Sequence, residues 1–155
     1  MDNAQYRGDI DGLRALAVVG VILYHFELPV FSGGYAGVDV FFVISGFLIT
    51  GLFTKKDIDR KTILKFYRRR FWRLFPALFF TVAATFFIAC LILSPFHLKD
   101  AAESVIPSLL GLSNFLFWYE SGYFDTVAIY KPLLHTWSLA VETQFYLIWP
   151  LFLIC

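Results

Sequence analysis

The sequence predicts an all-α fold, a polytopic bundle of transmembrane helices with about five helices present. Three observations predict it. Of the 155 residues, 59% are hydrophobic and 16% charged, and the mean hydropathy is +0.68. A water-soluble domain of this size cannot bury so much apolar surface. The apolar residues fall in long runs divided by short polar stretches, and the aromatic content (19 Phe, 8 Tyr, 4 Trp) suits a lipid-facing protein with aromatic belts at the interfaces.

Span one runs from about Leu13 to Leu28, after a polar N-terminus with mixed charge. No small-residue cleavage site follows its apolar run, so a retained helix is expected and not a signal peptide. Pro29 and the Ser32-Gly33-Gly34 turn end it. Span two runs from about Gly37 to Phe53, with Asp39 near its start and Ser45-Gly46 in its middle. A basic loop, TKKDIDRKTILKFYRRRFWR, comes next. Span three, about Leu74 to Leu93, carries no charge and is long enough to cross a bilayer. Ser94-Pro95 closes it, and a polar connection spans His97 to Glu103. Span four, Val105 to Tyr119, contains Pro107, Ser113 and Asn114, and reads as tilted, broken or re-entrant. Glu120 to His135 reads as a loop, and span five begins near Thr136 and runs to Cys155 with Glu142 and Gln144 inside it.

Nine of the 13 Lys and Arg lie between Lys55 and Arg73. The positive-inside rule places that loop, and with it the N-terminus, in the cytoplasm. A multi-pass protein of a cell inner membrane is the expected location. The two cysteines, Cys90 and Cys155, sit in apolar runs and predict no disulfide framework. Cys155 ends the chain inside an apolar run, which predicts truncation of something longer.

Four features bear on chemistry. Arg14 and His25 are eleven residues apart, about three helical turns, so they share a face roughly 16 Å apart along the axis. An ionisable group within a span points to function, and a histidine can act as general base near neutral pH. Arg14 can also snorkel to headgroups, and His25 can be a structural residue bonded to a carbonyl. In GVDVFFVISGFLIT, Ser45 and Gly46 suit either close helix packing or a site. The cluster Arg68, Arg69, Arg70 and Arg73 anchors topology, and its guanidinium forks also suit phosphates. Glu142, in HTWSLAVETQFYLIWP, needs a partner or a cavity, while Trp137 and Trp149 suit interface anchors. No metal site, phosphate-cradling glycine loop or nucleic-acid pattern is seen, so no metal and no nucleic-acid partner are expected.

Together these motifs resemble the membrane-bound acyltransferase 3 family, which O-acylates sugars of lipopolysaccharide, peptidoglycan and other glycans. Asp11, Arg14 and His25 resemble its first-helix pattern. Phe41, Phe42, Ser45, Gly46 and Phe47 resemble its FFxxSGF run. Arg70, Arg73 and Pro76 resemble its RxxR run with a following proline, and Trp137, Ser138, Leu139, Val141 and Glu142 its WSLxVE. Ala140 and Thr143 depart from the family's usual serine and second glutamate. The family domain extends well beyond this length, so residues 1–155 are expected to be its N-terminal half.

The resemblance implies an integral membrane acyltransferase, an O-acetyltransferase, moving an acyl group from acyl-CoA to a hydroxyl of a cell-envelope carbohydrate. Acetyl-CoA or another acyl-CoA is then a donor substrate, with no permanently bound cofactor. The resemblance implies His25, Glu142 and Asp11 as catalytic residues. It implies Arg14, Arg69, Arg70, Arg73 and Ser45 as donor-binding ones, and Phe41, Phe42, Gly46, Trp137 and Ser138 as motif residues. Glu142 or Asp11 would fix the histidine tautomer. Expected partners are membrane lipids, acyl-CoA, a carbohydrate acceptor, and the C-terminal helices or partner domain that shield the site. A truncated non-catalytic remnant and a proton- or ion-translocating protein are the alternatives.

Overall fold

The computed structural model describes residues 7–54, 59–121 and 130–153. Among these residues there is no strand. The helices are α1 (Gly8–His25), α2 (Gly37–Phe53), α3 (Arg60–Ile92), α4 (Pro95–Leu110), α5 (Ser113–Glu120) and α6 (Thr136–Phe152). Short 3₁₀ turns occupy Pro29–Phe31 and Gly34–Ala36. The chain divides into two compact units, Met1–Lys56 and Asp57–Cys155.

In the first unit α1 packs on α2 and on the Gly34–Ala36 turn. Missing side chains make the approach close. A Cβ at Gly34 would overlap the Gly20 carbonyl and stand 2.8 Å from the Tyr24 Cβ. One at Gly37 would stand 2.5 Å from the Ala17 carbonyl oxygen. Small residues on both partners let backbones meet, as they do between membrane helices. The helix of span one starts earlier than expected, at Gly8, and stops at His25. Glu27 then takes a left-handed φ of 56° and reverses the chain. Span two coincides with α2, which buries Ile44, Ser45, Ile49 and Phe53 on one stripe.

In the second unit the expected basic loop is helical from Arg60 onward. Lys, Arg and Leu are good helix formers, so the basic segment is the first part of α3 and not a loop. At 33 residues α3 is about 50 Å long, more than a hydrocarbon core needs. Pro76 lies inside it and removes one backbone donor without ending the helix. Phe80 (71% exposed), Leu91 (72%) and Ile92 (74%) have no protein cover. The Gly34–Phe53 segment and α3 are the two described segments long and apolar enough to cross a membrane. Apolar surface on this scale is stable against lipid and not against water.

The connection expected at His97 to Glu103 is also helical. Pro95 at the first helical position opens α4 as well as following α3. Span four is two helices. Gly111, with φ 69°, ends α4 in a left-handed cap, and the Leu112 N–H bonds the Pro107 carbonyl at 2.8 Å. The chain then doubles back. The His97 ring, near the start of α4, stacks on Tyr130 at 4.0 Å. Glu120, the last residue of α5, pairs with the adjacent Lys131 at 3.0 Å. The entry of α4 and the exit of α5 therefore meet neighbouring residues, and α4–α5 is a helical hairpin with its tip at Gly111. Val82 of α3, Phe117 of α5 and Leu133 form the core beneath it, with Leu78, Val105, Leu109, Leu116 and Leu134 packed around.

α6 runs antiparallel to α3. Leu133, just before α6, packs at Val82, whereas Tyr146 and Leu147 meet Arg70 and Tyr67. Twelve residues of α3 separate those contacts, about 18 Å of helix rise.

Candidate functional site

In the second unit the site forms where α3, the hairpin tip and α6 converge. A cavity of about 420 Å³ is lined by Tyr67, Arg70, Phe71, Leu74, Phe75 and Leu78 of α3, by Leu109, Leu110 and Gly111 of the tip, and by Thr143, Tyr146 and Leu147 of α6. Arg70 is the one charged residue in that lining. Its guanidinium lies over the Tyr146 ring, 4.4 Å from the centroid, and 5.6 Å from that of Phe66. Arg70 Nη1 donates to the Tyr146 hydroxyl at 3.5 Å. That hydroxyl in turn donates to Glu142 Oε1, one helical turn back on α6. The Tyr67 hydroxyl donates to the Leu147 carbonyl at 2.9 Å and ties the two helices at the same level. A carboxylate, a phenol and a guanidinium thus form one chain at the cavity wall, where each charge has a polar partner.

A second network fixes the tip. Gln144 Nε2 donates to the Gly111 carbonyl and to Asn114 Oδ1, both at 2.8 Å. Asn114 Nδ2 donates back to Gln144 Oε1 at 3.2 Å. Ser108 and Thr136 share a hydroxyl–hydroxyl bond of 3.0 Å, and Thr136 donates to the Leu133 carbonyl. The tip is therefore held to α6 by side chains, and Gln144 stands two residues from Tyr146, the Arg70 contact.

Other residues singled out in this unit stand apart from the cavity lining. Arg69 and Arg73 are exposed on α3. Trp137 is 40% exposed at the start of α6, and the Ser138 hydroxyl donates to the His135 carbonyl at 3.2 Å, within the first turn.

In the first unit His25 is the last residue of α1. Its Nδ1 lies 2.9 Å from the Val21 carbonyl oxygen. A carbonyl only accepts, so Nδ1 is the donor in this contact, and whenever the ring is neutral its lone pair is on Nε2. The helix backbone fixes the tautomer suited to a base at Nε2. Asp11 is fourteen residues away, about 21 Å along α1, and pairs with Arg14 at 3.8 Å. Asp11 and Arg14 come together; Asp11 and His25 do not. Ser45 is buried in α2, while Phe41, Phe42 and Gly46 are half-buried along it. At the N-terminal edge, before the apolar run, Arg7 Nε and Nη2 donate to the Asp9 carboxylate at 2.9 and 2.6 Å. That hydrogen bond holds the Asp9 carboxyl at about 2.

Sequence reasoning did not single out Tyr146 or Tyr67. Tyr146 stands four residues after Glu142, on the same helical face, and that spacing is the signal that points to it. Tyr67 carries no such signal, because its partner is a backbone carbonyl 80 residues away.

Comparison with known proteins bears on this arrangement. The acyltransferase 3 family profile, described as an acyltransferase domain, matches residues 7–155. The chain is 44% identical over 153 residues to the peptidoglycan O-acetyltransferase OatA of Listeria monocytogenes, covering 97% of this chain and 24% of that protein. It is 42% identical over 156 residues to the O-acetyltransferase OatA of Staphylococcus aureus, covering 97% of this chain and 25% of that protein. The chain spans about a quarter of the length of these curated relatives. No solved structure matches it.

Proposed function

The chain belongs to the acyltransferase 3 family, and on that premise we propose that it forms the donor-binding part of a membrane O-acetyltransferase. The reaction is transfer of an acetyl group from acetyl-CoA to a hydroxyl of a cell-wall carbohydrate. Two relatives named as O-acetyltransferases, one of them acting on peptidoglycan, support the acyl group and the acceptor class. In this reading the protein is multi-pass in the cell membrane, with its N-terminus and the basic end of α3 in the cytoplasm.

The observation that carries the reading is Arg70, the one charged residue in the wall of a mostly apolar cavity. A CoA thioester is a phosphate-bearing head on a long, less polar arm. The guanidinium takes a phosphate of the head, since its planar fork matches phosphate oxygens. Arg69 and Arg73, exposed on the same segment, add positive charge that attracts the donor from the cytosol. The cavity receives part of the arm. His25, with its lone pair on Nε2, takes the proton of the acceptor hydroxyl. The hydroxyl oxygen bonds to the acetyl carbonyl carbon, the C–S bond breaks, and the CoA thiolate leaves and is protonated. Arg14, paired with Asp11, lies on the same face of α1 as His25 and steadies negative charge arriving along it.

The test is titration of acetyl-CoA into this chain in detergent, beside an Arg70→Ala, Arg73→Ala double variant. Saturable binding, weakened about tenfold or more in the double variant, is expected, as for loss of charge-assisted bonds to phosphate. Equal binding by both proteins sinks the assignment of the donor site.

A further inference from the structure

We propose that Tyr146 is a positioning residue, a spacer that orients Arg70 toward an anionic ligand while keeping it out of a direct ion pair with Glu142. The proposal rests on the donor-binding reading for its ligand, a phosphate-bearing CoA thioester. Three observations carry it. The Tyr146 hydroxyl donates to Glu142 Oε1 and accepts from Arg70 Nη1, so it stands between the two charges. Its ring lies beneath the guanidinium, 4.4 Å from centroid to carbon, and sets the plane in which the N–H groups point. Arg70 and Tyr146 both line the cavity, whereas Glu142 does not.

The physical need for a spacer follows from the chemistry of the pair. A carboxylate facing a guanidinium directly takes two of its five donors in a fork and cancels its charge. In a low-dielectric wall such a pair is hard to separate, and an incoming phosphate would have to compete with it. A phenol between them changes both terms. It gives Glu142 Oε1 a neutral donor. It takes a single bond from Arg70, and that bond is strengthened because the carboxylate polarises the hydroxyl. Arg70 is held in place with its charge uncancelled. Tyr67 of α3, the other tyrosine in the lining, donates to the Leu147 carbonyl instead.

The proposal is tested by titrating coenzyme A into the full chain in detergent, with Tyr146→Phe, Glu142→Gln and the double variant. Tyr146→Phe keeps the ring and removes the spacer oxygen. Glu142 then captures Arg70, and affinity is expected to fall about tenfold. Glu142→Gln is the reference without a carboxylate, and the double variant is expected to bind as Glu142→Gln does, above Tyr146→Phe, because no carboxylate remains to capture Arg70. A purely structural role for Tyr146 gives no such rescue. Parent-like binding by Tyr146→Phe overturns the proposal, and so does a double variant as weak as Tyr146→Phe.

A second readout needs no donor. Phenylglyoxal modifies accessible arginines, and the Arg70 peptide is followed by mass spectrometry. Modification is expected to slow in Tyr146→Phe and to recover in the double variant. If coenzyme A does not bind but this pattern holds, the donor reading fails and the spacer stands. Equal modification in all four proteins overturns the spacer whatever the binding shows.

Discussion

His25 is last in its helix, and its ring is held by a bond within that helix, to the Val21 carbonyl. Removing the ring therefore strips a titratable nitrogen without opening a packed core. In a full-length protein, His25→Ala is expected to lower acetyl transfer from acetyl-CoA to a peptidoglycan fragment by about 10²- to 10⁴-fold, the range for loss of a general base. Helical circular dichroism is expected to stay unchanged. Transfer at the parent rate would remove His25 from the mechanism. His25, Arg14 and Glu142 draw attention in the sequence because an ionisable group in an apolar run stands out, whereas Arg70 is one of a basic cluster. Their partners were not legible in the same way. The histidine's nearest partner is a carbonyl, which carries no side-chain signature. Glu142 meets a tyrosine, a residue that an aromatic-rich chain offers in many places.

At the scale of elements, the tightest feature is the crossing of α1 with the Gly34–Ala36 turn and the start of α2. The sequence shows Ser32-Gly33-Gly34 as a turn, and that is correct as far as it goes. It does not show which glycine is needed for space. Gly34 is, because its position abuts the Gly20 carbonyl; Gly33 is not, because nothing lies within 4 Å of a Cβ there. Gly34→Ala is expected to destabilise the first unit by roughly 1–3 kcal/mol, as overpacking does, while Gly33→Ala changes little. Thermal unfolding in detergent reads both. Equal melting of the two variants would show that the backbone yields at Gly34. Element boundaries followed the same divide. α2 was fully legible from its apolar run. The start of α3 was hidden because basic residues mark a membrane face without saying whether the backbone there is helix or loop.

For the whole molecule the open quantity is which side of the membrane each polar end occupies. The hairpin places the entry of α4 and the exit of α5 beside the same residues, Tyr130 and Lys131. α4 is 16 residues, about 24 Å, and short of a full crossing. In a Cys90→Ser, Cys155→Ser background, Lys99→Cys and Ser121→Cys are therefore expected to react with a membrane-impermeant maleimide from one side, and Lys65→Cys from the other. Labelling of Lys99→Cys and Ser121→Cys from opposite sides would make α4–α5 a crossing and discard the hairpin.

By itself the sequence determined the class of solvent, the all-helical character and the family. Each of these rests on composition, on periodicity or on motifs that lie together along the chain. Tertiary structure decided what required two distant segments to meet. It turned span four into a hairpin, by bonding Gln144 to Gly111 and Asn114. It selected Arg70 from four similar arginines, by laying it on Tyr146, 76 residues later. The physical reason is the range of the forces. Hydrophobic patterning and helix propensity act over a few residues and are written in local order. Hydrogen bonds and ring contacts act over a few ångströms of space, and only the folded chain brings their partners that close.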